Sequence, residues 1–466
     1  MEGTTLPAAV VRWPVHRCRA DLVALGAEAA LLVLAVVVGA VLNAREVGLH
    51  ADAAPLYATW RPHLGWGTPA ALLVAGAVIA VGARWTRTAG WVVLLATGYL
   101  TSVAWTLSLA LVDGWSTGFA DRLTAQAEYL YEVPRVTDVG ATLAGFTGRI
   151  LDFQPDSWST HTAGHPPGAL LVFVGLDRVG LGGGAVAALA CVLVGASVTI
   201  SVPVALRALG AADAARAVLP FLVLLPGAVW VGASADGLFT GAVAAGLALL
   251  AVRGWVAPAA GGLLLGGALY LSYGFVLVGV LALAVLALRP AGRVAALLAG
   301  AAGVAAVVAA VTVAGFRWWD GYDLVVERYY QGWAADRPYG YWVWANVAAL
   351  LLSAGPVLGP ALRRAVATLR RGGYAPVPPS GPAPGTWALL RRPPAPTVLL
   401  PVAAAVAVLA GDLSGLSKAE VERIWLPFAV WLLVATAHLP PATRRWWLAG
   451  QAATALAVNH LLWTVS

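Results

Sequence analysis

The chain has 466 residues, 60% of them hydrophobic and 11% charged, far below the roughly 25% charge of a soluble domain, so it reads as lipid-embedded. The formal charge is +7, but the arginines lie in short clusters between apolar runs, where cytoplasmic loops carry them, which sets nucleic-acid binding aside. Cys18 in a basic segment and Cys191 in an apolar run supply neither a disulfide framework nor a paired-cysteine metal site, and redox chemistry is not expected.

In chain order, Arg12, Arg17 and Arg19 precede an apolar stretch of about 20 residues, long enough to span and without a cleavage site, so a retained first helix is expected. Spans are predicted near 21–43, 69–83 and 90–112, with Arg84 and Arg87 inside, which puts the loop after Val112 outside. That loop runs to residue 184. Its longest polar stretch carries Asp113, Asp121, Glu128, Glu132, Arg149, Asp152, Asp156, His161 and His165, and a loop of that length is more often functional than a mere connection. Gly168 to Leu176 is too short to cross and meets Asp177-Arg178 and Gly182-Gly183-Gly184, as an interfacial or re-entrant segment would.

Further spans are predicted near 185–206, 217–232, 237–252, 258–273, 275–288, 294–315 and 342–361. Arg207, Arg216, Arg253, Arg289, Arg293 and Arg363 through Arg371 then all fall inside. Residues 362–396, rich in Pro, Gly and Arg, read as a cytoplasmic linker, and spans near 397–410, 424–438 and 446–465 follow, with Arg444 and Arg445 inside. The expected fold is all-α and polytopic, with about 11–13 transmembrane helices. It divides into an N-terminal pair (1–89), a core (90–361) with the outer loop 113–184, the linker, and C-terminal helices (397–466). Outer loops 113–184, 316–341 and 411–423 share a face. Trp318, Trp319, Tyr322, Tyr329 and Tyr330 on that face read as an interfacial aromatic belt, and none alone marks a sugar site.

Three strings stand out. His165-Pro166-Pro167-Gly168 closes the long loop, where two prolines can simply stop a loop and start a helix. Ser234-Ala235-Asp236 opens a span, and its carboxylate either caps the helix or serves function at the membrane boundary. Lys418-Ala419-Glu420-Val421-Glu422-Arg423 puts cations on the outer side, against the usual bias. Arg offers a bidentate fork and Lys a point charge to a lipid phosphate, or Lys418 with Glu422 and Glu420 with Arg423 pair at helical spacing. Arg149, Arg328 and Arg337 are further outer cations.

A long outer loop that opens with carboxylates after a span and closes on His-Pro-Pro resembles the GT-C glycosyltransferases, particularly the protein O-mannosyltransferase and aminoarabinose-transferase branch. The resemblance covers roughly residues 90–290 by motif order and the final third by architecture. It implies that an acidic residue of the first large outer loop, commonly in an Asp-Glu pair shortly before a Tyr, binds or activates the acceptor. Glu128-Tyr129-Leu130 is the nearest counterpart, with Asp121 and Asp113 as further choices. The adjacent acidic pair is missing, and two additional spans precede the matching core. Asp236 matches the family's Asp at the outer end of a cavity-facing helix.

The implied reaction moves a sugar, mannose foremost, from a polyprenyl-phosphate donor to a cell-envelope glycan, lipid or protein on the non-cytoplasmic face of the plasma membrane. Such transfer needs a carboxylate to take the acceptor proton as the anomeric carbon gains oxocarbenium character, and cations to stabilise the departing phosphate. The donor-phosphate residues would be Arg423, Lys418, His165, Arg328 and Arg149, and the cavity residues Tyr129, His161, Asp236, Tyr273, Glu420 and Glu422. There is no Gly-rich phosphate loop with a following Lys, no HExxH and no nucleotide-sugar domain, which suits a donor presented by the bilayer. No cofactor is named, and a divalent cation stays open. The alternatives are a transporter or flippase of a lipid-linked precursor, which should carry ionisable residues near mid-membrane, and a non-catalytic GT-C-like subunit.

Overall fold

The computed structural model describes residues 15–232, 234–370 and 395–464, with side chains from Arg19 onward. Arg12, the side chains of Arg17 and Cys18, and most of the expected linker, with Arg371, Arg391 and Arg392, lie outside the described residues. Helices dominate. The two strands among the described residues, Ala58–Trp60 and Leu462–Thr464, pair antiparallel with Ala58 opposite Thr464. Six helices are long and apolar enough to cross a membrane: Arg19–Ala44, Thr68–Thr88, Trp91–Ala110, Gly184–Ala208, Arg293–Val313 and Pro396–Leu413. Four more apolar helices, Asp236–Ala251, Val256–Ala268, Tyr273–Leu288 and Leu426–His438, are shorter. At 1.5 Å per residue each falls short of a hydrocarbon core about 30 Å thick.

Asp236–Ala251 is the centre of the assembly. It is apolar all round, as a helix surrounded by others must be, and it packs against Gly184–Ala196, Val198–Ala208, Val256–Ala268 and Leu426–Leu432. Its first residue therefore sits at the middle of one end of the bundle.

The expected continuous span at 342–361 is broken. Tyr339–Ala354 and Leu358–Arg370 meet at 97°, across Gly355 in the left-handed region (φ +91) and Pro356, which lacks an N–H. Gln451 fills the corner, its Nε2 donating to the Ala354 carbonyl at 2.8 Å, and a Cβ at Gly355 would lie 1.7 Å from Gln451 Oε1. Residues 362–370 continue the second helix, so the linker starts later than composition indicates. The last helix ends at Leu461, where the chain turns into the strand pair instead of continuing to 465.

That strand pair joins the connection after the first helix to the C-terminal tail, and both lie against the long acidic loop. His63 Nε2 is 2.5 Å from Asp113 Oδ1, and Arg122 Nη2 donates to the Thr464 carbonyl at 2.8 Å. The N-terminal pair of helices thus delivers a loop to the same end of the bundle as the acidic loop. The acidic loop itself is a chain of short turns, among them Arg122–Thr124, Tyr129–Tyr131 and Thr160–Gly164.

Candidate active site

Four separate stretches of sequence meet at the acidic-loop end of the bundle. Arg423, in the one-turn helix Val421–Ile424, is 5% exposed. Its Nη1 donates to Asp236 Oδ2 at 2.7 Å and its Nη2 to Glu420 Oε2 at 2.5 Å. The same Nη2 lies 3.2 Å from His161 Nε2, and His161 Nδ1 lies 2.9 Å from Glu128 Oε1. A guanidinium cannot accept a hydrogen bond, so His161 accepts at Nε2 and carries its hydrogen on Nδ1, donated to Glu128. The chain of contacts runs Glu128, His161, Arg423, Asp236, with Ser234 Oγ donating to Asp236 at 3.3 Å.

Local backbone explains how these groups are aimed. Ala419 and Glu420 both adopt left-handed φ, +70 and +62, a conformation costing L-residues about 1–2 kcal/mol each. Such strain persists where the surroundings hold it, typically at functional sites. Here it reverses the chain so that Glu420 faces Arg423 and Arg337, the latter 3.6 Å from Glu420 Oε1. Arg337 is itself clamped by the carbonyls of Leu49, His50 and Lys418, at 3.2, 3.3 and 2.8 Å. Burial works against the Glu420 charge, but Arg423 and Arg337 outweigh it and hold its carboxyl below the usual range. Burial also opposes the Arg423 charge, and Asp236 and Glu420 reverse that, keeping it protonated.

Two atoms of the network lack a partner among the described residues. Glu128, 6% exposed, makes no hydrogen bond through Oε2 to the described residues, and Arg423 Nε is buried without a partner among them. A carboxylate oxygen able to take a proton and an unpartnered guanidinium N–H therefore stand one imidazole apart.

Around the network, Tyr129 packs its ring 6.2 Å from His161, 5.8 Å from His165 and 5.6 Å from Phe173. His165 Nδ1 donates to the His161 carbonyl at 2.9 Å. Enclosure pushes its imidazole down to about 4, against the pull of Asp236, so the positive charge expected at His165 is absent near neutral pH. Gly168 of the same string allows close packing. Its helix, Pro167–Arg178, starts against Tyr270, where a Cβ would lie 2.5 Å from the Tyr270 carbonyl.

Other expected positions lie apart from the network. Asp113 is paired with His63, and Asp121 accepts from Ser116 at the surface. Arg149 lies 3.4 Å over the Trp158 ring and near Glu132 and Asp156, while Arg328 Nη1 is 2.7 Å from Asp152. Tyr273 packs edge-on against Trp318 and tilted against Tyr322. Lys418 and Glu422 form no ion pair, because the helix begins only at Val421. Lys418 Nζ instead donates to the Ala334 carbonyl at 2.8 Å and sits 5.2 Å over the Tyr330 ring. The Asp236 carboxylate does not cap its helix but turns to Arg423. A cleft of about 250 Å³ beside Leu130 and Phe173 includes none of the network residues in its lining. Among the described residues no group of three or more His, Cys, Asp or Glu is placed to hold a metal ion.

Glu422 is fully buried, with Oε1 accepting from the Tyr57 N–H at 3.2 Å and Oε2 unpartnered. Burial raises its carboxyl from 4.5 to about 7, helped by the Glu420 charge. The folded protein therefore keeps a proton that the unfolded chain releases above 4.5. The stability this contributes is full below pH 4.5 and is lost as pH rises through 7, a swing of roughly 3 kcal/mol. The melting temperature is expected to fall from pH 5 to pH 8 in the wild type and to fall much less in Glu422→Gln. Equal slopes would remove Glu422 as the cause.

Compared with protein families, with curated proteins and with solved structures, the chain matches none.

Proposed function

We propose that the chain is a GT-C-type membrane glycosyltransferase that moves a sugar, mannose foremost, from a polyprenyl-phosphate donor to a cell-envelope acceptor on the non-cytoplasmic face of the plasma membrane. In this reading the bent pair and the shorter apolar helices join the six long ones to give about 11–13 crossings. The supporting observation is the hydrogen-bonded run from Glu128 through His161 to Arg423 and Asp236, which sets an open carboxylate oxygen near a buried guanidinium.

In the reaction, the acceptor oxygen bonds to the anomeric carbon as the bond from that carbon to the donor phosphate oxygen breaks. Glu128 takes the hydroxyl proton, and the polyprenyl phosphate leaves with the electron pair. Arg423, with Arg337 behind it, meets the phosphate charge. Asp236, whose side chain is 6% exposed, anchors Arg423, while Glu420, at 23%, is the carboxylate a phosphate would displace. His161 is a positioning residue that holds the open face of Glu128 toward the acceptor.

Glu128 raises the affinity of His161 for a second proton, more than offsetting burial. That proton, at Nε2, would set two donors face to face and part His161 from Arg423. Turnover is therefore expected to show an acidic limb with its midpoint above the ordinary 6.5 of histidine, and His161→Asn should abolish that limb. An unchanged limb in the variant would assign it elsewhere.

A transporter would need ionisable groups lining a path through the membrane. Glu28, inside the first long helix, instead closes a helix end, its Oε1 accepting the Gly359 N–H at 2.5 Å. The deciding experiment presents the purified protein in lipid with a panel of polyprenyl-phosphate sugars and follows donor hydrolysis and transfer. Turnover of at least one donor is expected. A folded protein that turns over none, yet carries a lipid-linked precursor across a liposome bilayer, would replace the transferase with a flippase.

A further inference from the structure

We propose that the opposite end of the bundle carries a second, anion-binding site, a cleft that takes the phosphate group of an anionic phospholipid headgroup or of a soluble phosphate ester. This does not depend on the transferase reading. The segment Leu426–His438 starts just beyond Arg423 and ends at His438, which puts the two sites about 20 Å apart along a helix. A cavity of about 500 Å³ opens there, lined by Arg87, Asp213, Arg216, Thr397, His438 and Arg444 among others.

Charge is what distinguishes this cleft from an ordinary helix end. Arg87, Arg216 and Arg444 come from three separate helices, Ala83–Thr88, Ala212–Val223 and Arg444–Leu461, and converge on one concavity with Asp213 as the acidic lining residue among the described residues. None of the three arginines forms an ion pair among the described residues. Arg216 Nη1 is fixed by the carbonyls of Thr86 and Ala89 at 2.7 and 2.8 Å. Arg444 is held by those of Leu439 and Ala437, both at 3.3 Å. These neutral acceptors orient the guanidinium groups without cancelling their charge, and leave further N–H groups of each fork for a ligand. Burial, and then the nearby Arg87 charge, hold the Arg444 guanidinium below its ordinary range. His438 completes the wall, its Nε2 3.3 Å from the Thr397 carbonyl.

Arginines that merely mark topology are spread through solvated loops. Here Arg216 and Arg444 are half-buried in a cleft at the ends of apolar helices. Basic pockets of that kind, at headgroup depth between membrane helices, take lipid phosphates.

The test uses the full chain in nanodiscs of phosphatidylcholine, with or without phosphatidylglycerol. It counts retained lipids by native mass spectrometry and records melting temperature. Wild type is expected to retain phosphatidylglycerol over phosphatidylcholine and to melt higher in its presence. Arg87→Gln with Arg444→Gln should lose that preference by roughly tenfold or more, as expected for lost charge-assisted contacts. Asp213→Asn should strengthen it, an opposite sign that keeps the test alive if the arginine variant does not fold. Stabilisation of phosphatidylcholine discs by inorganic phosphate, abolished in the double variant, would support the site with a soluble ligand as its source. Equal phosphatidylglycerol retention in wild type and all variants, without a phosphate effect, would overturn the proposal.

Discussion

Arg423→Met is expected to abolish sugar transfer and to lower the melting temperature together. The guanidinium is buried between Asp236 and Glu420 and also holds His161, so its removal leaves Asp236 as an unpaired carboxylate in a nearly closed site. Breaking a buried pair from one side costs about 3–5 kcal/mol, mainly through the charge left behind. The single variant alone cannot separate a structural from a chemical role. Arg423→Met with Asp236→Asn can, because neutralising the partner removes the stranded charge while still denying the donor its cation. The double variant is expected to recover most of the stability and to remain about 100-fold or more below wild type in turnover, the scale on which a lost oxyanion-stabilising donor is felt. Recovery of turnover along with stability would make Arg423 a purely structural group. Glu420→Gln provides the complementary measurement. If a donor phosphate displaces Glu420 from Arg423, removing its charge should tighten donor binding, whereas a purely structural Glu420 should leave affinity unchanged and cost stability.

Individual residues of this site were legible in the sequence. Glu128 and His161 stand out in the long polar loop, and Asp236, Glu420 and Arg423 as ionisable groups at the edge of an apolar run, where such groups are costly and seldom idle. Their assembly was not legible, because it depends on which helix becomes the centre of the bundle, and the buried Asp236–Ala251 helix looks in sequence like any other span. Helical spacing also misled at one point. Glu420 with Arg423 pairs as the i, i+3 rule anticipates, but Lys418 with Glu422 does not, since the left-handed residues Ala419 and Glu420 break the helix between them. Tyr57, which meets Glu422 through its backbone N–H, carried no sequence signal. It arrives through a loop after the first helix, in a region that composition alone assigns to a separate N-terminal pair. The corner at Gly355 escaped for a related reason: apolar composition reports burial in lipid or protein alike, without saying where a helix stops.

Glu128→Gln is expected to lower turnover by about 100- to 10,000-fold, the usual contribution of a positioned general base, while donor affinity and melting temperature stay close to wild type. The substitution is nearly silent structurally, because the amide oxygen can still accept the His161 Nδ1–H that Oε1 accepts now at 2.9 Å. What it loses is the ability of the other oxygen to take a proton from the acceptor hydroxyl. Asp121, named beside Glu128 on sequence grounds, is the internal control: it lies at the surface, bonded to Ser116, and Asp121→Asn should leave turnover within a few fold of wild type. Asp113 is engaged with His63 at 2.5 Å, so Asp113→Asn should act through stability if it acts at all. Donor hydrolysis in the absence of acceptor adds a second readout, because water also needs a base. Glu128→Gln should depress hydrolysis and transfer alike, whereas a residue that only binds the acceptor would spare hydrolysis. Wild-type transfer by Glu128→Gln would move the base to Asp236 or Glu420, the two carboxylates that share the network through Arg423.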